Sequence, residues 1–219
     1  MACLDSSFYA RPTEIVARSL LGKILVRLII NASGKIMRIS GIIVETEAYG
    51  FKDDLASHAY KGLTPRNAVM FGEVGRAYIY FTYGSQFCVN VSARSPKLRA
   101  GAVLIRALQP VEGIQIMKSF RKTDHLLSLS SGPGKLTHAM NIRPFLNGAD
   151  MTDPKSRLHI EEGYGMDSYT IVKTKRIGIS QALDKYWRFV IADEKKKGYL
   201  NKYASRRKYD LTLTTTRID

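Results

Sequence analysis

Ile36-Met37-Arg38-Ile39-Ser40-Gly41-Ile42-Ile43-Val44-Glu45-Thr46-Glu47-Ala48-Tyr49 is the stretch on which the reading of this 219-residue chain turns. Its apolar, β-branched run from Ile36 to Thr46 predicts a strand. Upstream, Lys23 to Ile30 has the same character, and Asn31-Ala32-Ser33-Gly34 supplies turn residues between the two, so a hairpin is expected. In strand geometry alternate side chains share a face, which sends Glu45, Glu47 and Tyr49 one way and Val44, Thr46 and Ala48 the other. Two acids and an aromatic make a poor core, and the expectation is that they floor a pocket. His58 follows Tyr49 by nine residues.

Working outward, Pro12 to Leu21 carries apolar residues at Ile15, Val16, Leu20 and Leu21 and meets Gly22, which predicts a short helix with its stop. Gly50 to Gly75 has no sustained periodicity and reads as a long ordered loop with about one helical turn, a length commonly associated with function. Ala77 to Tyr83 and Phe87 to Ser92 predict a second hairpin around Gly84-Ser85-Gln86, with Tyr83 at its tip. Ala102 to Leu108 is an apolar strand interrupted by Arg106. Pro110 to Lys122 has helical spacing at Val111, Ile114, Met117 and Phe120. Ser131-Gly132-Pro133-Gly134-Lys135-Leu136 reads as a helix entry, with Lys135 near its exposed amides. Thr170 to Ile179 and Trp187 to Ala192 are expected to be closing strands, and a run of lysines and arginines from Lys195 to Lys208 marks a basic tail or helical appendage.

Composition narrows the function classes. Hydrophobic residues make up 45% and charged residues 24%, ordinary for one globular domain. Against 19 acids stand 34 lysines and arginines, a formal charge of +15, and the sequence pI is about 9.9. That field favours a polyanionic partner. No apolar stretch approaches the roughly 20 residues a membrane span needs, so nucleic acid leads and no membrane partner is expected. The two cysteines, Cys3 and Cys88, lack metal-ligand spacing and are too few for a disulfide scaffold. The amino-terminal residues show neither a basic segment nor an apolar signal core. An intracellular protein is expected, cytoplasmic in a bacterium or nuclear in a eukaryote.

Several ordered segments carry a resemblance: V-E-T-E-A-Y at Val44–Tyr49, T-P-R-N at Thr64–Asn67 with Met70-Phe71 after it, Y-I-Y-F-T-Y-G at Tyr78–Gly84, Asn90-Val91, V-L-I-R-A-L at Val103–Leu108, S-G-P-G-K-L at Ser131–Leu136 and R-I-G-I-S at Arg176–Ser180. In this order they resemble the alkyladenine (3-methyladenine) DNA glycosylase family over roughly residues 8 to 190. The resemblance implies an α+β fold: a single mixed domain on a curved antiparallel sheet, with surrounding helices and a protruding β-hairpin that enters the DNA minor groove. It also implies a monomer without metal or cofactor, acting on double-stranded DNA that contains damaged purines. On this reading residues 1–193 form the catalytic domain and 194–219 a basic extension without family support.

Excision of a base from a duplex requires the nucleotide to be swung out, at a few kcal/mol of unstacking and unpairing. Tyr83 has the size and place for the wedge that fills the gap. Breaking the bond builds positive charge on the deoxyribose, so a nearby carboxylate can stabilise it and deprotonate the attacking water. The resemblance assigns this role to Glu47, two residues before the tyrosine. Glu45 would lie about 7 Å away on the same face, in a structural role bonded to backbone or to an arginine. Tyr49, His58 and Tyr80 are placed around the extruded base, where stacking on an aromatic is worth about 1–3 kcal/mol per base. Asn90 is placed by resemblance at the base edge, able to clash with the exocyclic amine of guanine. Arg106 either pairs with Glu45 or Glu47 or contacts sugar or phosphate. Arg66, Asn67 and Lys135 are candidates for the DNA backbone.

Two other function classes compete. A noncatalytic basic module for structured RNA fits the charge but gains nothing from acids in its groove. A glycosidase acting on free nucleosides, with Glu45 and Glu47 as paired acids, has no use for so large a field. The tyrosine at Tyr186, where bacterial-looking relatives carry proline before the tryptophan, departs from the family pattern without touching a proposed site residue.

Overall fold

The computed structural model describes residues 1–82, 86–163, 170–192 and 202–204, and the backbone of 214–215. Tyr83, the expected wedge, therefore lies outside the described residues, as does most of 194–219.

Strands β1 (Ile24–Ile30) and β2 (Ile36–Tyr49) form the expected hairpin, with Ile30 opposite Ile36. Asn31 organises the turn: its side-chain oxygen accepts from the Ser33 and Lys35 amides at 3.1 and 2.8 Å, and Gly34 takes a left-handed φ of +79°. Next come β3 (Ala77–Thr82), β4 (Gln86–Ser92), β5 (Ala102–Glu112), β6 (Leu158–Glu161), β7 (Ile171–Thr174), β8 (Arg188–Ile191) and β9 (Thr214–Thr215). All pair antiparallel in the order β3-β4-β5-β2-β8-β7-β9, with β1 pairing β2 and β6. β2 is the spine. One edge pairs β5 along most of its length, while the other pairs β1 at its start and β8 at Glu45–Glu47. Register shifts at Ser40/Gly41, Ile43/Glu45 and Glu45/Thr46 bend it from one partner to the next. A Cβ at Gly41 would come to 3.0 Å from the Gln109 carbonyl, so a side chain at the first of these bends would crowd the neighbouring strand.

Helices α1 (Ser6–Tyr9), α2 (Thr13–Ser19), α3 (Ala68–Phe71), α4 (Ile114–Arg121) and α5 (Pro133–Ala139) surround the sheet. The main core gathers Val16, Ala17 and Leu20 with Val44 and Ala48 of β2, Leu108 of β5, Met117 of α4 and Leu136 of α5. Thr46, though polar, belongs to the same face because its hydroxyl donates to the Ala17 carbonyl at 2.7 Å. Alternation on β2 thus gives one face to the core and leaves Glu45, Glu47 and Tyr49 for the other.

Three boundaries differ from expectation. Pro110 and Val111 belong to β5, not to a helix: Pro110 sits opposite Gly41 where the ladder is already irregular, and Glu112 is anchored by Arg38 and Ser40. The helix begins only at Ile114, after Gly113 at φ +68°. β7 ends at Thr174 because Arg176 turns inward to Asp54 and the Ile177 amide bonds a side chain instead of a strand. β6, which the patterning did not suggest, closes the outer edge of β1. The described parts of the carboxy-terminal extension are neither a free tail nor a helix, since Tyr203 packs in the core and Thr214–Thr215 pairs with β7.

Candidate active site

The second face of β2 meets Arg106 from the neighbouring strand β5. Glu45 and Glu47 have no exposed surface, and Arg106 bridges them, Nε to Glu45 Oε1 at 2.8 Å and Nη1 to Glu47 Oε2 at 3.1 Å. The ion pair expected of Arg106 is present, and with both acids, while Arg106 also lines the cleft. Arg188 of β8 adds a second cation to Glu45 at 2.7 Å, and its Nη1 donates to Thr174 at 2.9 Å. Glu47 receives two further donors: the Tyr49 hydroxyl at 2.7 Å on Oε2 and the Ile177 amide at 2.7 Å on Oε1. Burial, then the neighbouring Glu47 charge, holds the Tyr49 phenol well above its usual range, so it stays protonated and donates. Burial works against the Arg106 charge, but Glu47 and Glu45 outweigh it and the guanidinium is held above its ordinary value.

This corrects one expectation. The acids do not floor an open pocket. Glu47 lies one layer behind the wall of a cleft of about 1100 Å³, whose lining includes Tyr49, Arg106 and Ile177, the three residues that bond it. Two carboxylates facing water alone would need no guanidinium between them; taken out of water, they require one.

The same cleft is lined by His58, Arg66, Tyr80, Asn90 and Lys135, and also by Tyr78 and Cys88. β3 presents Tyr78 and Tyr80 two residues apart, hence on one face, with ring centroids 5.3 Å apart. His58 comes from the long loop to stand edge-on to Tyr80 at 4.6 Å, with its Nδ1 2.9 Å from the Tyr78 hydroxyl. Burial and then the Arg66 charge pull His58 below its usual value, leaving a neutral ring at pH 7. Burial raises the Cys88 thiol and the Tyr80 phenol, so both keep their protons. Arg66 is exposed, with its guanidinium 5.6 Å from the Tyr80 ring centre. Asn90 donates to the Tyr78 carbonyl at 2.9 Å, which fixes its amide at the cleft wall. Asn67 is used elsewhere: buried, it binds the Thr64 amide and the His58 and Gly62 carbonyls, stapling the loop that carries His58. No group of three or more His, Cys, Asp or Glu side chains among the described residues is arranged to hold a metal, and no helix among them is long and apolar enough to cross a membrane.

The profile of the methylpurine-DNA glycosylase family matches residues 7–195. The chain belongs to this family. Membership makes it a DNA glycosylase, a hydrolase of N-glycosyl bonds. A protein of Prosthecochloris aestuarii, provisionally named 3-methyladenine DNA glycosylase, is 48% identical over 186 residues, 85% of this chain and 86% of its own. One from Carboxydothermus hydrogenoformans with the same provisional name is 46% identical over 204 residues, covering 93% and 99% of the two chains. An archaeal relative from Methanoculleus marisnigri, named likewise, is 42% identical over 205 residues, again 93% and 99%. The family match ends at residue 195.

Sequence reasoning missed several contributors to the candidate site, among them Tyr78, Cys88, Ile177, Arg188 and the buried pair Asp54 and Arg176. Tyr78 was legible, since strand alternation puts it on the Tyr80 face. Asp54 and Arg176 lie 122 positions apart and make two bonds of 2.6 and 2.7 Å, which no local pattern announces.

Proposed function

We propose that the enzyme takes an alkylated or deaminated purine, swung out of duplex DNA, into the cleft beside Tyr49, His58 and Tyr80, and hydrolyses its glycosidic bond with water directed by Glu47. The product is an abasic site, the opening step of base excision repair. The observation that carries this reading is a fully buried carboxylate, paired with Arg106, directly behind a cleft walled by planar rings. A carboxylate has about four acceptor positions. Among the described residues Tyr49, Arg106 and Ile177 fill three. The position left on Oε1 takes the proton of the attacking water when the DNA-bound cleft admits that water past its wall to the buried carboxylate.

The charge on Glu47 also faces the oxocarbenium-like sugar that develops as the bond breaks, a form of stabilisation that is strongest where water is excluded. Neutral His58 and the electron-rich tyrosines suit an electron-poor, positively charged purine, which both stacks well and leaves readily. Asn90, fixed to the strand opposite, supplies discrimination at the base edge by exclusion. Tyr83, following β3, is the wedge in this scheme, Arg66 and Lys135 at the cleft contact the DNA backbone, and the protein works as a monomer. Incubation with duplex DNA carrying 3-methyladenine, 7-methylguanine, hypoxanthine or etheno adducts, with alkylated RNA and with free modified nucleosides tests the proposal. Release of base from the duplex alone, lost in Glu47→Gln, is the expected result. Tight duplex binding without any release would make the protein a noncatalytic binder.

A further inference from the structure

Arg176 lies two positions past Thr174, where β7 ends, and its side chain is wholly buried. The guanidinium grips Asp54 with both arms, Nη1 to Oδ2 at 2.7 Å and Nη2 to Oδ1 at 2.6 Å, and Nη1 also donates to the Ala48 carbonyl at 2.9 Å. Its carbon lies over two rings, 4.7 Å from the Tyr49 centroid and 5.5 Å from that of Trp187. Asp54 in turn orders the loop behind it, accepting from the Gly50 amide at 2.9 Å and the Ala56 amide at 3.3 Å.

The sequence neighbours of these contacts are the groups that handle Glu47. Ile177, next after Arg176, gives its amide to Glu47 Oε1. Tyr49, against which Arg176 stacks, gives its hydroxyl to Oε2. Ala48, whose carbonyl Arg176 holds, lies between Glu47 and Tyr49 on β2. His58 stands four residues beyond Asp54 on the ordered loop. A buried ion pair used only as glue would need no particular neighbours; this one touches the donors to one carboxylate from both sides.

We propose that the Arg176–Asp54 pair is a positioning device that sets the Ile177 amide and the Tyr49 hydroxyl on Glu47, and with them the carboxylate's remaining acceptor position. The inference rests on the reading of Glu47 given above. Arginine is required because a planar fork alone can hold two carboxylate oxygens, reach a carbonyl and lie over two rings at once; an ammonium keeps the charge but not the shape. Displacement of an aligned group by about 1 Å costs on the order of 100-fold in rate.

The test uses the full chain with Arg176→Lys and Asp54→Asn, with Glu47→Gln as reference. Thermal melting and fluorescence of Trp187, the sole tryptophan, report the fold. Affinity for duplex containing an abasic-site analogue reports binding, and single-turnover excision of hypoxanthine at saturating protein reports chemistry. Arg176→Lys should stay folded and bind within about 3-fold of the parent while excision falls on the order of 100-fold, with Asp54→Asn losing rate in the same way. Parental excision in Arg176→Lys, equal losses in binding and rate, or failure of both variants to fold would overturn the positioning role. If Glu47→Gln itself excises at the parental rate, it is the reading of Glu47 that fails, and the two failures are thereby told apart.

Discussion

Replacing Arg106 by methionine removes a cation that two carboxylates without exposed surface share. Glu45 keeps Arg188 at 2.7 Å, whereas Glu47 is left with two neutral donors, Tyr49 and the Ile177 amide. Deleting one partner of a buried pair typically costs about 3–5 kcal/mol, because a charge is left without compensation in a poor solvent for it. In a domain of this size each kcal/mol moves the melting temperature by roughly 2–4 °C, so Arg106→Met should melt about 6–20 °C below the parent. The sharper test is a second substitution. In the parent, Glu47→Gln breaks a satisfied network and turns an amide donor toward donors that need an acceptor, costing about 1–3 kcal/mol. In Arg106→Met the same change removes the uncompensated charge and should restore stability. A coupling energy of about 2–3 kcal/mol with reversal of sign is expected, measured by urea unfolding of the four proteins at pH 7. Should Glu47→Gln cost the same in both backgrounds, Arg106 does not carry the Glu47 charge and the account of the site's electrostatics fails.

Tyr49→Phe removes one charge-assisted donor to Glu47 while keeping the ring that Arg176 covers. A loss of about 1.5–3 kcal/mol in chemical denaturation is expected, and unchanged stability would mean the hydroxyl is not bonded in solution. His58 is depressed from 6.5 by burial and by Arg66. The unfolded chain therefore takes up this proton first, and the associated stability is full above about pH 6.5 and declines as pH falls from there to the folded midpoint. An NMR titration should place the His58 midpoint below 6.5 and move it upward in Arg66→Ala; a midpoint above 6.5 contradicts the assignment. With a formal charge of +15, affinity for undamaged duplex should fall with a log–log salt slope of about −0.9 for each phosphate neutralised, and a flat titration by fluorescence anisotropy would reject the electrostatic account of DNA binding.

Local elements were legible where local physics decides them. The β1–β2 hairpin follows from β-branched runs around an asparagine-glycine turn, and the split of β2 into a core face and an acidic face follows from the two-residue repeat of a strand. Pro110 was misread because apolar spacing at Val111, Ile114 and Met117 suits a helix, whereas the pairing of Glu112 with Ser40 is a contact across 72 residues that spacing does not reveal. The expected strand over Thr170–Ile179 breaks at Thr174 for a similar reason: Arg176 finds a better partner in a distant buried aspartate than in the solvent beside the sheet.

From the sequence alone came the one-sided placement of Glu45, Glu47 and Tyr49 and a charge that seeks a polyanion, since backbone pitch and residue counts need no neighbours. Tertiary structure alone decided that Glu47 is buried behind the cleft wall and which groups hold it. Its partners stand 59 and 130 positions away in Arg106 and Ile177, and a charge taken out of water is stable only where the folded chain brings such partners within hydrogen-bond reach.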